Sequence, residues 1–317
     1  MPFHLSHSTF GSYTELILEN AATGEFFSVI PAHGAMVRQL VLNKADRAVS
    51  LLHTPASPEA LLADETYASA LLFPFPSRIP QGRYTFDDMT HHLPLNEEKQ
   101  LNAIHGFVAG QPFEVFGQEI TEEQAALTFR YVHDGSYVGY PFPFDFRVTY
   151  ALAADGVFSV QYEVQNTGHL ACPAAFGWHP YFTLNAEPVD ELTVTLPIAK
   201  QILLNSNLLP VGEEPVPHPV TLPLRDRELD AAFVVIDDPD AGATTVVQAP
   251  GKGLSLCIWQ ETGPEKFPYL VVFTHPARDR VAIEPLTSNV NAFNNRQGLL
   301  VLEPNGTASG EIRVWLS

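Results

Sequence analysis

Only two cysteines occur in 317 residues, Cys172 and Cys257. That is too few for a disulfide framework and leaves open at most one bond between them. Positive charge is also scarce: 17 lysines and arginines face 36 acidic residues, a formal net charge of -19. A field of that sign repels nucleic acid and anionic membrane surfaces. A phosphorylated ligand would need a local basic pocket to overcome it, whereas a neutral ligand is indifferent. No apolar run approaches the roughly 20 residues that cross a bilayer as a helix. The start, Met1-Pro2-Phe3-His4-Leu5-Ser6-His7, lacks the basic and then apolar regions of a secretory signal. The expectation is a soluble cytoplasmic protein with no nucleic-acid or membrane partner.

Several chemical signatures are missing as well. Despite 12 histidines, there is no His-x-x-x-His with an intervening glutamate and no Cys-x-x-Cys, so no metal site is expected. Gly251-Lys252-Gly253 lacks the spacing of a phosphate loop and reads as a hairpin turn, and no Gly-x-Ser-x-Gly elbow is present. No cofactor is expected. His91-His92 and His133-Asp134 read as surface loop residues.

What the chain does have is alternation. Phe144, Phe146, Val148 and Tyr150 are interleaved with polar residues, as are Phe158, Val160, Tyr162 and Val164. Leu192-Val194-Leu196, Leu254-Leu256-Ile258 and Ile312-Val314-Leu316 repeat the pattern. Side chains on a strand point alternately to opposite faces, so each run offers one apolar face to a core. Many such runs, separated by Gly, Pro, Asn and Asp clusters, predict an all-β sandwich or barrel. One helix is expected after Ser57-Pro58-Glu59, where a cap residue, a first-turn proline and an early carboxylate precede Ala60-Leu61-Leu62. The proline-rich stretch 205–223 reads as an ordered loop or insertion. With 45% hydrophobic residues and no repeat or linker, residues 1–317 read as one domain. Monomer and homodimer are both compatible with it.

Five stretches could carry chemistry, and each has a plainer explanation. Ser77-Arg78-Ile79-Pro80-Gln81-Gly82-Arg83 sets two arginines around a turn; they are solvated charges or a fork for two ligand oxygens. Asn102-Ala103-Ile104-His105-Gly106 places a histidine before a glycine, which permits a close backbone approach. Gly177-Trp178-His179-Pro180-Tyr181-Phe182 joins a histidine to three aromatics, suited to core packing or to stacking on a sugar ring. Pro180 biases His179 towards extended geometry. Asp230, ahead of Ala231-Ala232-Phe233, is a turn residue or a ligand contact. Glu284 interrupts the apolar run Val281-Ala282-Ile283-Glu284-Pro285-Leu286, where desolvation disfavours a carboxylate without a partner or a task.

Taken in order, these stretches resemble the aldose 1-epimerase (galactose mutarotase) family. The correspondence rests on Ser77-Arg78-Ile79, Asn102 to Gly106, His179 to Phe182, Asp230 to Phe233 and Ile283-Glu284-Pro285, and it extends across nearly the whole chain. The resemblance implies a large antiparallel β-sandwich, the supersandwich of the galactose mutarotase-like fold, with a sugar bound in a cleft on one sheet. It implies Glu284 as general base, His179 as general acid and His105 as a second histidine near the ring oxygen. Arg78 and Asp230 are implied to orient the sugar hydroxyls, with Asn102, Trp178 and Tyr181 as further substrate contacts. Ser77 stands where the family usually has asparagine. Phe107 stands where a second glycine often follows, a form also similar to the hexose-6-phosphate epimerase branch, although Val108-Ala109-Gly110 lacks that branch's arginine.

The implied reaction exchanges the α and β anomers of a free hexose such as galactose or glucose by ring opening and reclosure. Its charges would be an ionised Glu284 and a protonated His179 at rest. The alternatives are a hexose-6-phosphate 1-epimerase, a non-catalytic carbohydrate-binding or sugar-sensing protein, and a glycosidase using Asp230 with Glu284.

Overall fold

Alternation becomes architecture in the computed structural model, which describes residues 2–317. Strand accounts for 53% of it and helix for 5%, so the chain is all-β. Three antiparallel sheets dominate. The first has five strands in chain order, Phe3–Phe10, Tyr13–Asn20, Glu25–Ile30, Met36–Lys44 and Arg47–Ser50. The second has nine, centred on the successive strands Gln124–His133, Phe144–Ala153 and Phe158–Asn166, with the last strand, Thr307–Leu316, beside them. The third runs in the order Pro210–Pro215, Ile198–Leu204, Asp230–Val235, Tyr269–Thr274, Val281–Leu286, Gly177–His179 and Ala70–Leu72. The short strand Tyr181–Phe182 also pairs with Val281–Leu286.

The inward faces of these sheets share one core. Phe158 and Tyr162 on the nine-stranded sheet meet Trp178 and Phe176 on and beside the third, and Phe27 of the first sheet packs on Tyr150 and Phe158. The residues forecast to alternate inwards, from Phe144 through Tyr150 and from Phe158 through Val164, all lie in this core. The two cysteines are buried and free.

The helix Pro58–Leu62 forms as expected: the Ser57 side chain accepts from the Ala60 amide, Pro58 opens the first turn and Glu59 lies in it. Leu61 is its one buried residue, in a small cluster with Phe10, Ile30 and Met36 apart from the main core.

Three expectations are corrected. Stretch 205–223 contains two strands, Pro210–Pro215 and Val220–Pro223: Pro210, Pro215 and Pro223 sit at strand ends on sheet edges where no ladder donor is needed, and Pro217 and Pro219 lie between the strands. His133 is not a surface loop residue: it ends a strand next to outward-facing Val132, so the period of two buries it against Phe107 and Phe144. His91 and His92 lie on the hairpin strand Met89–His92, where His91 stacks on Tyr84. Gly253, in the left-handed region, does close the turn between Ala243–Ala249 and Leu254–Gln260.

Candidate active site

The register of the third sheet decides which side chains meet. Gly177 pairs with Leu286, and Tyr181 with Ala282. Carried across the gap between them, that register sets His179 directly opposite Glu284. Facing residues of an antiparallel pair project to the same side with their Cβ atoms about 4.5–5.5 Å apart. His179 Nε2 accordingly lies 3.4 Å from Glu284 Oε1. Pro180 and Pro285 fall where the two strands lose their ladder, each lacking an amide donor. On the other side Glu284 is paired with Val271, and Val271 with Ala232. Two residue-pairs along, and so on the same face, Asp230 faces Phe273 across the ladder. Asp230, Ala232, Val271, Phe273 and Glu284 thus form the floor of one cavity, of about 970 Å³.

His105 enters from a loop that glycine makes possible. A Cβ on Gly106 would stand 2.0 Å from the Phe73 carbonyl oxygen, and its φ is +67°. His105 itself is left-handed at φ +62°, as is Ser77 at +58°. The two are laced together: the His105 amide donates to the Ser77 carbonyl, and the Ser77 amide donates to His105 Nδ1 at 3.2 Å. An Nδ1 that accepts leaves the ring proton on Nε2. Burial, with His179 and Arg78 adding, drives the His105 pKa well below its ordinary value. His105 is therefore a neutral imidazole with a fixed Nε2–H donor. Its ring meets that of His179 edge-on at 5.3 Å and Tyr67 at 4.7 Å.

Arg78 lines the cavity, but its strongest partner is Glu97, a residue the motif reading did not single out. Arg78 Nε donates to both Glu97 oxygens at 3.1 Å, and Nη2 donates to Oε1 at 2.9 Å. Asn102 is buried and absent from the cavity wall; its Nδ2 donates to Glu97 Oε2 at 2.6 Å. It therefore holds the holder of Arg78. The expected direct contact of Asn102 with substrate is corrected on that ground. Trp178 is likewise corrected: the period of two that turns His179 to the cavity turns Trp178 into the core, fully buried beside Phe158 and Phe182. Tyr181, two residues beyond His179, returns to the cavity face. The Asp230 carboxylate makes no hydrogen bond or ion pair with any of the described residues and is open to the cavity. Arg83 is exposed and off the cavity wall.

Other lining residues carried no sequence signal. Asp64 accepts from the amides of Thr66 and Ala68, folding the rim after the helix. Tyr67, left-handed at φ +57°, is held by Asn96, whose Nδ2 donates to its hydroxyl. Non-glycine residues in that region cost of order 1–3 kcal/mol each and gather where function demands a particular aim.

Burial sets the electrostatics. The Glu284 pKa is raised to about 8, by desolvation first and by Asp230 second, against the pull of Arg78. The His179 pKa falls to about 4, through desolvation, with Asp64 opposing. Both groups are thus driven to their neutral forms. Burial therefore works against the expected carboxylate and imidazolium at rest and favours a proton on Glu284 over one on His179. Asp230 is also pushed up, by the surrounding protein first and by Glu97, while Arg78 pulls it down; its openness to solvent screens that push.

A family model described as Aldose 1-epimerase matches residues 18–315. Among curated proteins, the uncharacterized protein YihR of Escherichia coli is 29% identical over 291 residues, covering 89% of this chain and 87% of its own. Aldose 1-epimerase of E. coli is 26% identical, covering 70% of this chain and 65% of its own. Among solved structures, a galactose mutarotase-like protein from Clostridium acetobutylicum superimposes with a TM-score of 0.87 at 22% identity over 100% of this chain and 99% of its own. Galactose 1-epimerase from Lactobacillus acidophilus gives 0.80 at 15% identity, covering 99% and 98%. These likenesses carry the sandwich fold.

Proposed function

The chain belongs to the aldose 1-epimerase family, whose members are isomerases, and from that premise we propose that it interconverts the α and β anomers of a free hexose, with Glu284 and His179 as the acid–base pair. The observation that carries this reading is the 3.4 Å approach of two buried, ionisable side chains across one strand pair on the floor of a sugar-sized cavity. A binding protein has no use for such a pair.

The reaction needs one proton at rest and none from solvent. Transfer of the Glu284 proton to His179 Nε2 gives a carboxylate and an imidazolium. The carboxylate takes the proton of the anomeric hydroxyl, the C1 to ring-oxygen bond breaks, and the imidazolium protonates the departing ring oxygen. The open aldehyde turns about its C1–C2 bond, and the same steps in reverse close the ring on the other face. A positioned acid or base contributes roughly 10²–10⁴-fold. His105 supplies the Nε2–H donor towards a sugar oxygen. Asp230, unpaired, accepts from hydroxyls, and Arg78 offers the guanidinium donors that Glu97 leaves free.

The test is the optical rotation of freshly dissolved α-glucose and α-galactose with and without protein. The reading expects faster decay to the equilibrium rotation with wild type. Sugar binding without acceleration would replace it with a carbohydrate-binding role.

A further inference from the structure

The cavity wall is unbalanced in charge. Five carboxylates border it among the described residues, Asp64, Glu65, Glu97, Glu98 and Asp230, together with Glu284, which burial drives to its neutral form, against two cations, Arg78 and Lys99. Its histidines, His33, His105, His179 and His275, are all held below their ordinary value, burial being the first cause in each, and so add no positive charge near neutral pH. Lys99 is exposed on the loop that forms the rim. Arg280 lies behind Tyr181, engaged by Asp279 and by His275 Nε2. Among the described residues, Arg78 is thus the one cation directed at the catalytic floor, where it acts on Asp230, Glu284 and His105.

That cation is already matched. Glu97 takes three hydrogen bonds from it, and its own position is fixed from two directions. Asn102 donates to its carboxylate, while the amide of each of the two residues donates to the carbonyl of the other. Both Arg78 and Glu97 are largely buried, with 17% of each side chain exposed, so solvent screens the pair weakly. An anionic sugar substituent that passes the exposed Lys99 at the rim meets no unmatched cation at the floor and several unmatched carboxylates. Like charges brought together inside an interface suppress the wrong partner.

We propose that Glu97 is a specificity-determining, positioning residue: by neutralising Arg78 it makes the site select uncharged and cationic aldoses over phosphorylated or carboxylated ones. This rests on the anomer-exchange reading above and narrows its substrate class. Glu97 acts through Arg78 rather than on the reacting atoms.

The experiment compares glucose, glucosamine and glucose 6-phosphate at pH 7.5 and low salt, by mutarotation rate and, separately, by equilibrium binding. Wild type is expected to show kcat/KM for glucose 6-phosphate at least about 100-fold below that for glucose, with the gap narrowing as salt rises. Glucosamine is expected to bind at least as tightly as glucose. In Glu97→Gln, turnover of glucose falls, yet the ratio of glucose 6-phosphate to glucose rises at least about tenfold. A simple loss of structure would lower both rates and leave the ratio alone. Glu97→Asp keeps the charge and is expected to keep the wild-type ratio. Equal handling of the two sugars by wild type, or an unchanged ratio in Glu97→Gln, overturns the proposal. Absence of any rate effect on glucose counts instead against the acid–base reading, and the binding comparison still decides the selection.

Discussion

At His179 and Glu284, burial favours the neutral form of each group before any substrate arrives. A carboxyl raised to about 8 and an imidazole lowered to about 4 share one proton across 3.4 Å. Removing the carboxyl's proton chemistry while keeping its shape isolates its role. Glu284→Gln is expected to lower kcat by roughly 10²–10⁴-fold while leaving the dissociation constant for sugar within a few-fold, read by polarimetry and calorimetry. Trp178 gives the opposite result. Its indole lies in the core between the sheets, so Trp178→Ala is expected to cost about 3–5 kcal/mol in urea unfolding. The KM of the folded fraction should stay unchanged, whereas a stacking platform would raise it.

At the scale of elements, the site depends on where chain segments approach each other. Gly106 passes so close to the Phe73 carbonyl that no side chain fits, and its left-handed backbone disfavours one in any case. Gly106→Ala is expected to destabilise the protein by more than about 1 kcal/mol and to lower kcat/KM by displacing His105; denaturant melts and rates check both. The need for this glycine was legible in the sequence, as were Glu284 on an apolar strand and the cap of the helix at Ser57. The facing of His179 and Glu284 was not, because residues 105 positions apart meet only through a register that no local pattern prints. Glu97 escaped for a related reason: it sits among Asn96, Glu98, Lys99 and Gln100, where a run of polar residues looks like any solvated loop. His133 shows the reverse error, a polar residue whose strand phase, not its chemistry, buries it.

For the whole molecule, alternation announced the sandwich, because every run of period two needs a core on one side. Strand order within and between sheets depends on distant pairings and stayed hidden. The buried pair also leaves a mark on overall stability. Glu284 binds its proton more tightly folded than unfolded, so its contribution is fully present below pH 4.5 and is lost as pH rises through about 8. His179, lowered from 6.5, contributes fully above that value and loses its contribution as pH falls through about 4. Thermal melts of wild type should therefore decline from pH 6 to 9, and Glu284→Gln should flatten that decline; identical slopes would contradict the burial of an ionisable carboxyl. The most direct test of the shared proton is the pH dependence of kcat/KM for anomer exchange, followed by polarimetry from pH 3 to 10. The account predicts a bell with limbs near 4 and 8, in which the alkaline limb vanishes with the residual activity of Glu284→Gln. A wild-type rate that shows neither limb across this range would contradict it.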